Sequence, residues 1–191
     1  MSTTLTNTAL ISARMDRLPA TRTVWNLVAL ISLGGYFEFY DLFLTGYIAP
    51  ALVREGILTP TTRGLFGTTG VASFVAAMFS GLFLGTALFG FVADRFGRRS
   101  IFTVSLLWYT TASVIMAFQH DVFGVNLWRF LSGIGVGVEL VTIATYISEL
   151  VPKQMRGRAF AFNQTVQFSS VPTVALLAWL LVGKTPLGLE G

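Results

Sequence analysis

The sequence predicts an all-α membrane protein with five transmembrane helices. Hydrophobic residues make up 53% of the chain and charged residues only 12%, which is too apolar for an ordinary soluble domain. Charged residues are concentrated in short connections between long apolar runs. A helix of roughly 20 residues spans a bilayer, and five runs of about this length or longer occur, at residues 24–49, 65–93, 101–118, 122–147 and 159–182.

The bases outside these runs predict the orientation of the chain in the membrane. Nine Lys and Arg lie in the N-terminal segment and in the connections after the second and fourth runs, whereas three lie on the opposite side. Cytoplasmic loops of membrane proteins carry such an excess of bases. We therefore expect a multi-pass protein of the plasma (inner) membrane with a cytoplasmic N-terminus. The net charge of +4 is interpreted as a topology signal, and no nucleic-acid partner is expected.

The terminal segments and the reactive residue types point neither to a cleaved leader nor to an enzyme. Residues 1–23 are polar and lack the apolar core of a secretory signal, so we expect a cytoplasmic segment, and residues 183–191 form a short tail. The chain has no cysteine and one histidine, His120, so no metal site is expected. Motifs for a nucleophile or a bound phosphate are also lacking, so we expect no catalytic activity and no cofactor.

The connection between the second and third runs has the features of a specific turn at the membrane surface. Residues 90–99 read Gly-Phe-Val-Ala-Asp-Arg-Phe-Gly-Arg-Arg. Gly97 can adopt the left-handed conformation that ends a helix, and Ser100 is suited to cap the following helix. Asp94 lies at a helix C-terminus, where the helix dipole disfavours an anion, so it needs a nearby cation.

This turn resembles the signature loop of the major facilitator superfamily, which connects transmembrane helices 2 and 3. The pattern is Gly, three residues, Asp, Arg, any residue, Gly, Arg and then Arg or Lys, and it is complete here. The alternative is a positively charged cytoplasmic loop with a chance acid. A second stretch resembles the fourth helix and following loop of the sugar-porter branch and its metabolite-transporting relatives; it comprises Arg129-Phe-Leu-Ser-Gly-Ile-Gly-Val-Gly, Tyr146-Ile-Ser-Glu149, Pro152, Arg156 and Gly157.

The resemblance implies a cytoplasmic latch that holds the two halves of a transporter together. Carried over by position, the latch and its loop motif comprise Gly90, Asp94, Arg95, Gly97, Arg98, Arg99, Glu149, Pro152 and Arg156. Glu149 is again an acid at a helix C-terminus, which needs a cation. The alternative is a solvated network that only fixes topology, since exposed ion pairs are typically worth under about 1 kcal/mol.

The resemblance also implies that the five spans are an incomplete N-terminal half. The superfamily has two halves of six helices each, so the C-terminal half would be a missing partner of this chain. Ala77, Gly81 and Gly85 recur every four residues and form a close-packing face. We expect this face to lack its partner when the second half is absent. The alternative is a truncated or accessory membrane protein without transport activity of its own.

Four ionisable residues lie inside the runs, where a charge costs about 2.5 to 3.5 kcal/mol on insertion scales and needs a partner or a water-filled cavity. Asp41 in the first run and Arg129 in the fourth are opposite in charge and lie at similar depth, counted at about 1.5 Å per residue. Glu38 shares a helical face with Asp41. Glu139 lies closer in depth to Glu38.

The resemblance assigns roles to these residues. In proton-coupled sugar porters, an Asp at the position of Asp41 carries the coupling proton and pairs with an Arg at the position of Arg129. The alternative for this pair is a structural ion pair. Glu38 and Glu139 depart from the commonest sugar-porter pattern and resemble relatives that carry organic acids. For these two residues, handling of substrate or protons and structural pairing both remain open.

The fifth run carries a polar face that suits the wall of a substrate cavity. Asn163, Gln164 and Gln167 form it, and the first and last of these are four residues apart on one helical face. The alternative is hydrogen bonding between helices, typically worth about 0.6 kcal/mol per bond in membranes. The sequence thus predicts the N-terminal part of a secondary active transporter that moves a small metabolite, a sugar or an organic acid, across the lipid bilayer together with protons.

Overall fold

The computed structural model describes residues 21–64 and 67–181, with the backbone alone for residues 88–96, 98 and 181. The described residues form helices joined by short connections, with no β-strand among them, so the predicted all-α class is confirmed. In chain order the elements are α1 (Arg22–Arg54), α2 (Gly70–Phe96), α3 (Arg98–Met116), α4 (Val122–Leu150), a 3-10 turn (Lys153–Met155), α5 (Arg156–Phe168) and α6 (Ser170–Leu181).

Three helices of the described part are long and apolar enough to cross a membrane. They are α1, the segment Gly70–Ala87 of α2, and α4. The helix α3 and the pair α5 and α6 occupy the third and fifth apolar runs. Their spanning of the bilayer stays a prediction.

The ends of α1 and α2 differ from the ends of the predicted runs. Pro50 does not end α1, which continues to Arg54, because a proline removes a single backbone donor and the last turn is completed by Glu55 N donating to Ala51 O at 3.0 Å. The helix α2 begins at Gly70 instead of residue 65. Two glycines with positive φ, Gly67 at 70° and Gly70 at 57°, turn the chain immediately before it.

The turn between α2 and α3 is made by one residue. Gly97 has φ of +82° and separates the two helices, as predicted. The prediction that Ser100 caps α3 is wrong, because α3 already begins at Arg98. Gly97 reverses the chain alone, so Ser100 falls inside the first turn of the helix.

The fifth run forms two helices in place of one. The helix α5 ends at Phe168 and α6 begins at Ser170. Pro172 has no N–H with which to bond the carbonyl oxygen four residues earlier, at Phe168, and this explains the interruption at Ser169. The polar face of the run lies wholly on α5.

The helix α4 lies at the centre of the bundle and packs closely on α2 and α3. A Cβ added to Gly81 or Gly85 of α2 would collide with the backbone carbonyls of Phe130 and Ile134 on α4. The small-residue face of α2 therefore packs inside this chain, and the expectation that it lacks its partner is wrong. The contact is reciprocal, because Gly133 and Gly137 of α4 lie against the backbone carbonyls of Met78 and Leu82.

An apolar core joins α1 to α4 and α5. It contains Val28, Ile31, Ile143, Ile147, Val151 and Ala159, each at most 5% exposed. This core holds the first half of α1 against the last turns of α4. The polar residues in the second half of α1 consequently face the earlier turns of α4.

Candidate functional site

The guanidinium of Arg129 connects α4 to α1 and α2. Its Nη1 donates to Asp41 Oδ2 at 2.9 Å, and Nη2 donates to the Asp41 backbone carbonyl at 3.3 Å and to the Thr45 hydroxyl oxygen. From α2, Met78 Sδ lies 2.8 Å from Nη2 and the Phe74 ring centroid lies 5.2 Å from Cζ. The planar fork of an arginine suits such a set of acceptors, which a lysine could not match.

The spacing along α1 presents these acceptors together. Asp41 and Thr45 are four residues apart on one helical face, and the Thr45 hydroxyl donates back to the Asp41 carbonyl at 3.1 Å. The side chain of Arg129 is 2% exposed, whereas that of Asp41 is 17% exposed. The acid is therefore the more accessible member of the pair.

This asymmetry defines what the ion pair can do chemically. A proton on Asp41 removes its negative charge and leaves the buried guanidinium without an anionic partner. Proton binding would then be linked to a rearrangement of α1 against α4. The structure brings together the two residues for which sequence predicted this pairing, and their coupling role stays a prediction.

A second contact between α1 and α4 is made by two acids. Glu38 and Glu139 are 1% and 0% exposed, and their carboxyls lie close enough to interact electrostatically with each other. Within the described part of the chain, no donor bonds any of their four oxygens. Gly34 makes room for this contact, because an added Cβ would lie 2.9 Å from Glu139 Oε1 and 2.6 Å from the Phe102 ring.

The two contacts use different side chains of the same pair of helices. Arg129 and Glu139 are ten residues apart on α4, about 15 Å of helix at 1.5 Å per residue, whereas Glu38 and Asp41 are three apart on α1, about 4.5 Å. Arg129 donates to Asp41 and Thr45, and no oxygen of the two glutamates accepts a hydrogen bond from it.

The polar residues of α5 divide between two environments. Asn163 and Gln167 are buried, and Gln167 packs its amide against Gly35 of α1, where a Cβ would collide with it. Asn163 Oδ1 is buried and has no hydrogen-bond partner among the described residues. Gln164 is exposed and lies apart from the other two.

Sequence reasoning missed several residues that shape the site. Tyr109 of α3 lies close enough to interact electrostatically with Glu139, Asp41 and Glu38. The glycine pair Gly34 and Gly35 was also overlooked. Two adjacent glycines in the middle of an apolar run, one turn before an acid, are a detectable sign of close packing.

The cytoplasmic turns are described in part. The predicted residues Gly90, Asp94, Arg95 and Arg98 lie outside the residues whose side chains the structure describes. Arg99 is exposed and Pro152 is buried. Arg156 Nε donates to the Val151 backbone carbonyl at 3.0 Å, just after the end of α4, and Glu149 has interactions of its own. The latch therefore stays a prediction.

Comparison with known proteins gives a consistent assignment. The family described as "Sugar (and other) transporter" matches residues 27–179. The niacin transporter NiaP of Acinetobacter baylyi is 32% identical over 170 residues, covering 89% of this chain and 37% of that protein. The inner membrane metabolite transport protein YdjE of Escherichia coli is 28% identical, covering 90% of this chain and 38% of that protein.

A third relative is named for a different solute, benzoate. The benzoate transport protein of Acinetobacter baylyi is 26% identical over 181 residues, which cover 90% of this chain and 36% of that protein. The chain thus spans well under half the length of each of these relatives. Within the described residues, no group of three or more His, Cys, Asp or Glu is placed to hold a metal ion.

Proposed function

This chain belongs to the family of sugar (and other) transporters, within the major facilitator superfamily, and from that premise we propose that it supplies the N-terminal part of a proton-coupled metabolite transporter. A transporter of this kind is a multi-pass membrane protein, and the family assignment gives no support to an enzyme. The transported solute is a small metabolite, either a sugar or an organic acid. Transport proceeds by alternating access.

The observation that carries the proposal is the ion pair of Asp41 and Arg129. A charged residue inside a membrane span marks an ion or substrate pathway by default. Here the acid is partly exposed and its basic partner, which stays charged, is not, so Asp41 is the member of the pair that could gain and lose a proton. Protonation of Asp41 releases Arg129 from its anion, and this change would favour one arrangement of α1 and α4 over the other.

The substrate cavity is proposed to lie beside the polar residues of α1, α4 and α5. Glu38, Glu139, Asn163, Gln164 and Gln167 are its candidates, and among them only Gln164 is exposed in this chain alone. The names of two relatives, a niacin and a benzoate transporter, favour a small aromatic carboxylate over a sugar. A C-terminal half would complete the cavity, since transporter sites lie between two repeats.

The proposal extends to the position of the chain in the cell. The N-terminus and both charged turns would lie in the cytoplasm of a cell whose plasma (inner) membrane holds the protein. The residues of the two turns, Asp94, Arg98, Arg99, Glu149 and Arg156 among them, would form the latch between the halves.

An uptake screen tests the proposal. The full-length transporter, reconstituted in vesicles, is offered nicotinate, benzoate and a set of sugars with and without an inward proton gradient. We expect one class of solute to accumulate only with the gradient. Accumulation that ignores the gradient would rule out proton coupling.

The second candidate function is a truncated or accessory membrane protein without transport activity. The chain matches 37% of the length of NiaP, so on its own it would hold only part of a transporter's cavity. Reconstitution of the 191-residue chain alone tests both candidates against a third possibility, a complete carrier built from several copies of the chain. Under either candidate we expect no saturable uptake by the chain alone. Saturable uptake would indicate the self-assembled carrier.

A further inference from the structure

The contact between Glu38 and Glu139 presents a chemical problem that the proposed coupling pair does not solve. An ionised carboxylate can only accept hydrogen bonds. Here two carboxyls face each other, both essentially inaccessible to water, and none of their four oxygens receives a hydrogen bond from the described residues. Two buried anions in contact, without a donor or a cation, would be strongly unfavourable.

No described side chain donates to or pairs with either glutamate. Among the described residues, the titratable and charged groups that face the pair are Asp41 on α1, Tyr109 on α3 and Arg129 on α4. Asp41 would add negative charge, and Arg129 is bound to Asp41 and donates no hydrogen bond to either glutamate. The α5 helix contributes only the neutral amide of Gln167 beside Gly35.

The space at the contact restricts what can fill it. Gly34 is so close to Glu139 and to the Phe102 ring that a methyl group would not fit. A calcium ion needs six to eight oxygen ligands and a magnesium ion needs six, whereas two carboxyls meet here. An organic substrate would need a cavity. A proton needs no space, and it converts one carboxyl into the donor that the other lacks.

We infer that Glu38 and Glu139 form a proton-binding site, separate from Asp41, in which the two carboxyls share one proton. The protonated carboxyl donates its O–H to an oxygen of the other, and the pair carries a single negative charge. Release of the proton leaves two facing carboxylates that repel each other and push α1 away from α4. The role of this site in a transport cycle rests on the proposed function, whereas its occupancy by a proton is a property of this chain.

Infrared spectroscopy tests the occupancy directly, because a protonated carboxyl has a C=O stretch that a carboxylate lacks. The chain is reconstituted in phosphatidylcholine vesicles at neutral pH and measured in H2O and D2O. We expect a protonated-carboxyl band that shifts in D2O and is lost in the double variant Glu38→Gln/Glu139→Gln. In each single variant we expect the band to be lost or displaced, because a glutamine amide can donate in place of the shared proton. Asp121→Asn, at an exposed helix N-cap outside the site, is the matched control and should retain the band.

Two outcomes would overturn the inference. One is the absence of the band from the unmodified chain, a measurement that depends on no variant folding correctly. The other is a band that survives in the double variant but disappears in Asp41→Asn. Failure of the proposed function would give a different result from both. Uptake would then be independent of the proton gradient, while the infrared band would still be present.

Discussion

Arg129 Nη1 lies 2.9 Å from Asp41 Oδ2, across 88 residues of sequence, and this ion pair fastens the fourth helix to the first. Removing one partner of a buried ion pair typically costs about 3 to 5 kcal/mol, because the other charge is left uncompensated. Part of this cost is offset here, since Arg129 also reaches the Asp41 carbonyl and Thr45. The pair is therefore a contact on which both stability and the proposed coupling depend.

The first prediction concerns the geometry of the arginine. Arg129→Lys keeps the charge but replaces a planar fork with a single ammonium, which cannot satisfy Asp41, Thr45 and Met78 together. We expect a loss of about 1 to 3 kcal/mol in the free energy of unfolding, the usual cost of leaving a buried polar group unsatisfied. Denaturant unfolding in detergent measures it. Arg54→Lys, at an exposed position, is the control. Equal stability of the two variants would contradict the packing described.

A second prediction concerns the glycines of α1. An added methyl group at Gly34 meets Glu139 and Phe102, whereas one at Gly46 meets nothing within 4 Å. We expect Gly34→Ala to lower the unfolding free energy by about 1 to 3 kcal/mol through overpacking. Gly46→Ala should be neutral or stabilising by up to about 1 kcal/mol, because alanine favours a helix.

Thermal unfolding in detergent compares these two variants. Both variants replace a glycine by alanine in the same helix, so the gain in helix propensity is the same for both. A difference in their stability therefore reports the difference in packing. If Gly34→Ala is no less stable than Gly46→Ala, Glu139 does not approach α1 as described.

A third prediction concerns topology. The chain has no cysteine, so single cysteines can be introduced without a background. Gly97, Lys153 and Thr61 are all exposed. We expect cysteines at Gly97 and Lys153 to react with a membrane-impermeant thiol reagent only from the cytoplasm, and a cysteine at Thr61 only from outside. Labelling of Gly97 and Thr61 from the same side would disprove the topology.

The sequence was sufficient to predict the all-α class and the approach of Asp41 to Arg129. Apolar runs of bilayer length define helices with few alternatives, because backbone groups in lipid must bond within their own segment. The depth of a residue follows from its place in the run, and two opposite charges at one depth must find each other. Glu38 and Glu139 were placed at related depths by the same reasoning.

Side-chain packing between helices could not be predicted in the same way. The spacing of Gly81 and Gly85 indicates a close contact but does not name the helix that makes it, and that helix is α4. Whether Glu139 faces Glu38 or a cavity depends on the rotation of α4, which is set by packing on α2 and α3. Tyr109 was missed for the same reason, since an aromatic residue in an apolar run gives no sign of facing acids.

The proposed transport cycle requires Asp41 to carry the coupling proton. Asp41→Asn in the full-length transporter removes the site of protonation but keeps an oxygen that accepts a hydrogen bond from Arg129, so the fold should be retained. We expect proton-driven accumulation to be abolished while substrate exchange persists at least in part, because exchange needs alternating access without net proton movement. The control is Asp121→Asn, at an exposed helix N-cap where asparagine serves equally well.

The deciding measurement is the ratio of accumulation to exchange, determined for both variants in the same vesicles under an inward proton gradient. We expect this ratio to fall to background in Asp41→Asn and to be unchanged in Asp121→Asn. Undiminished gradient-driven accumulation by Asp41→Asn would contradict it.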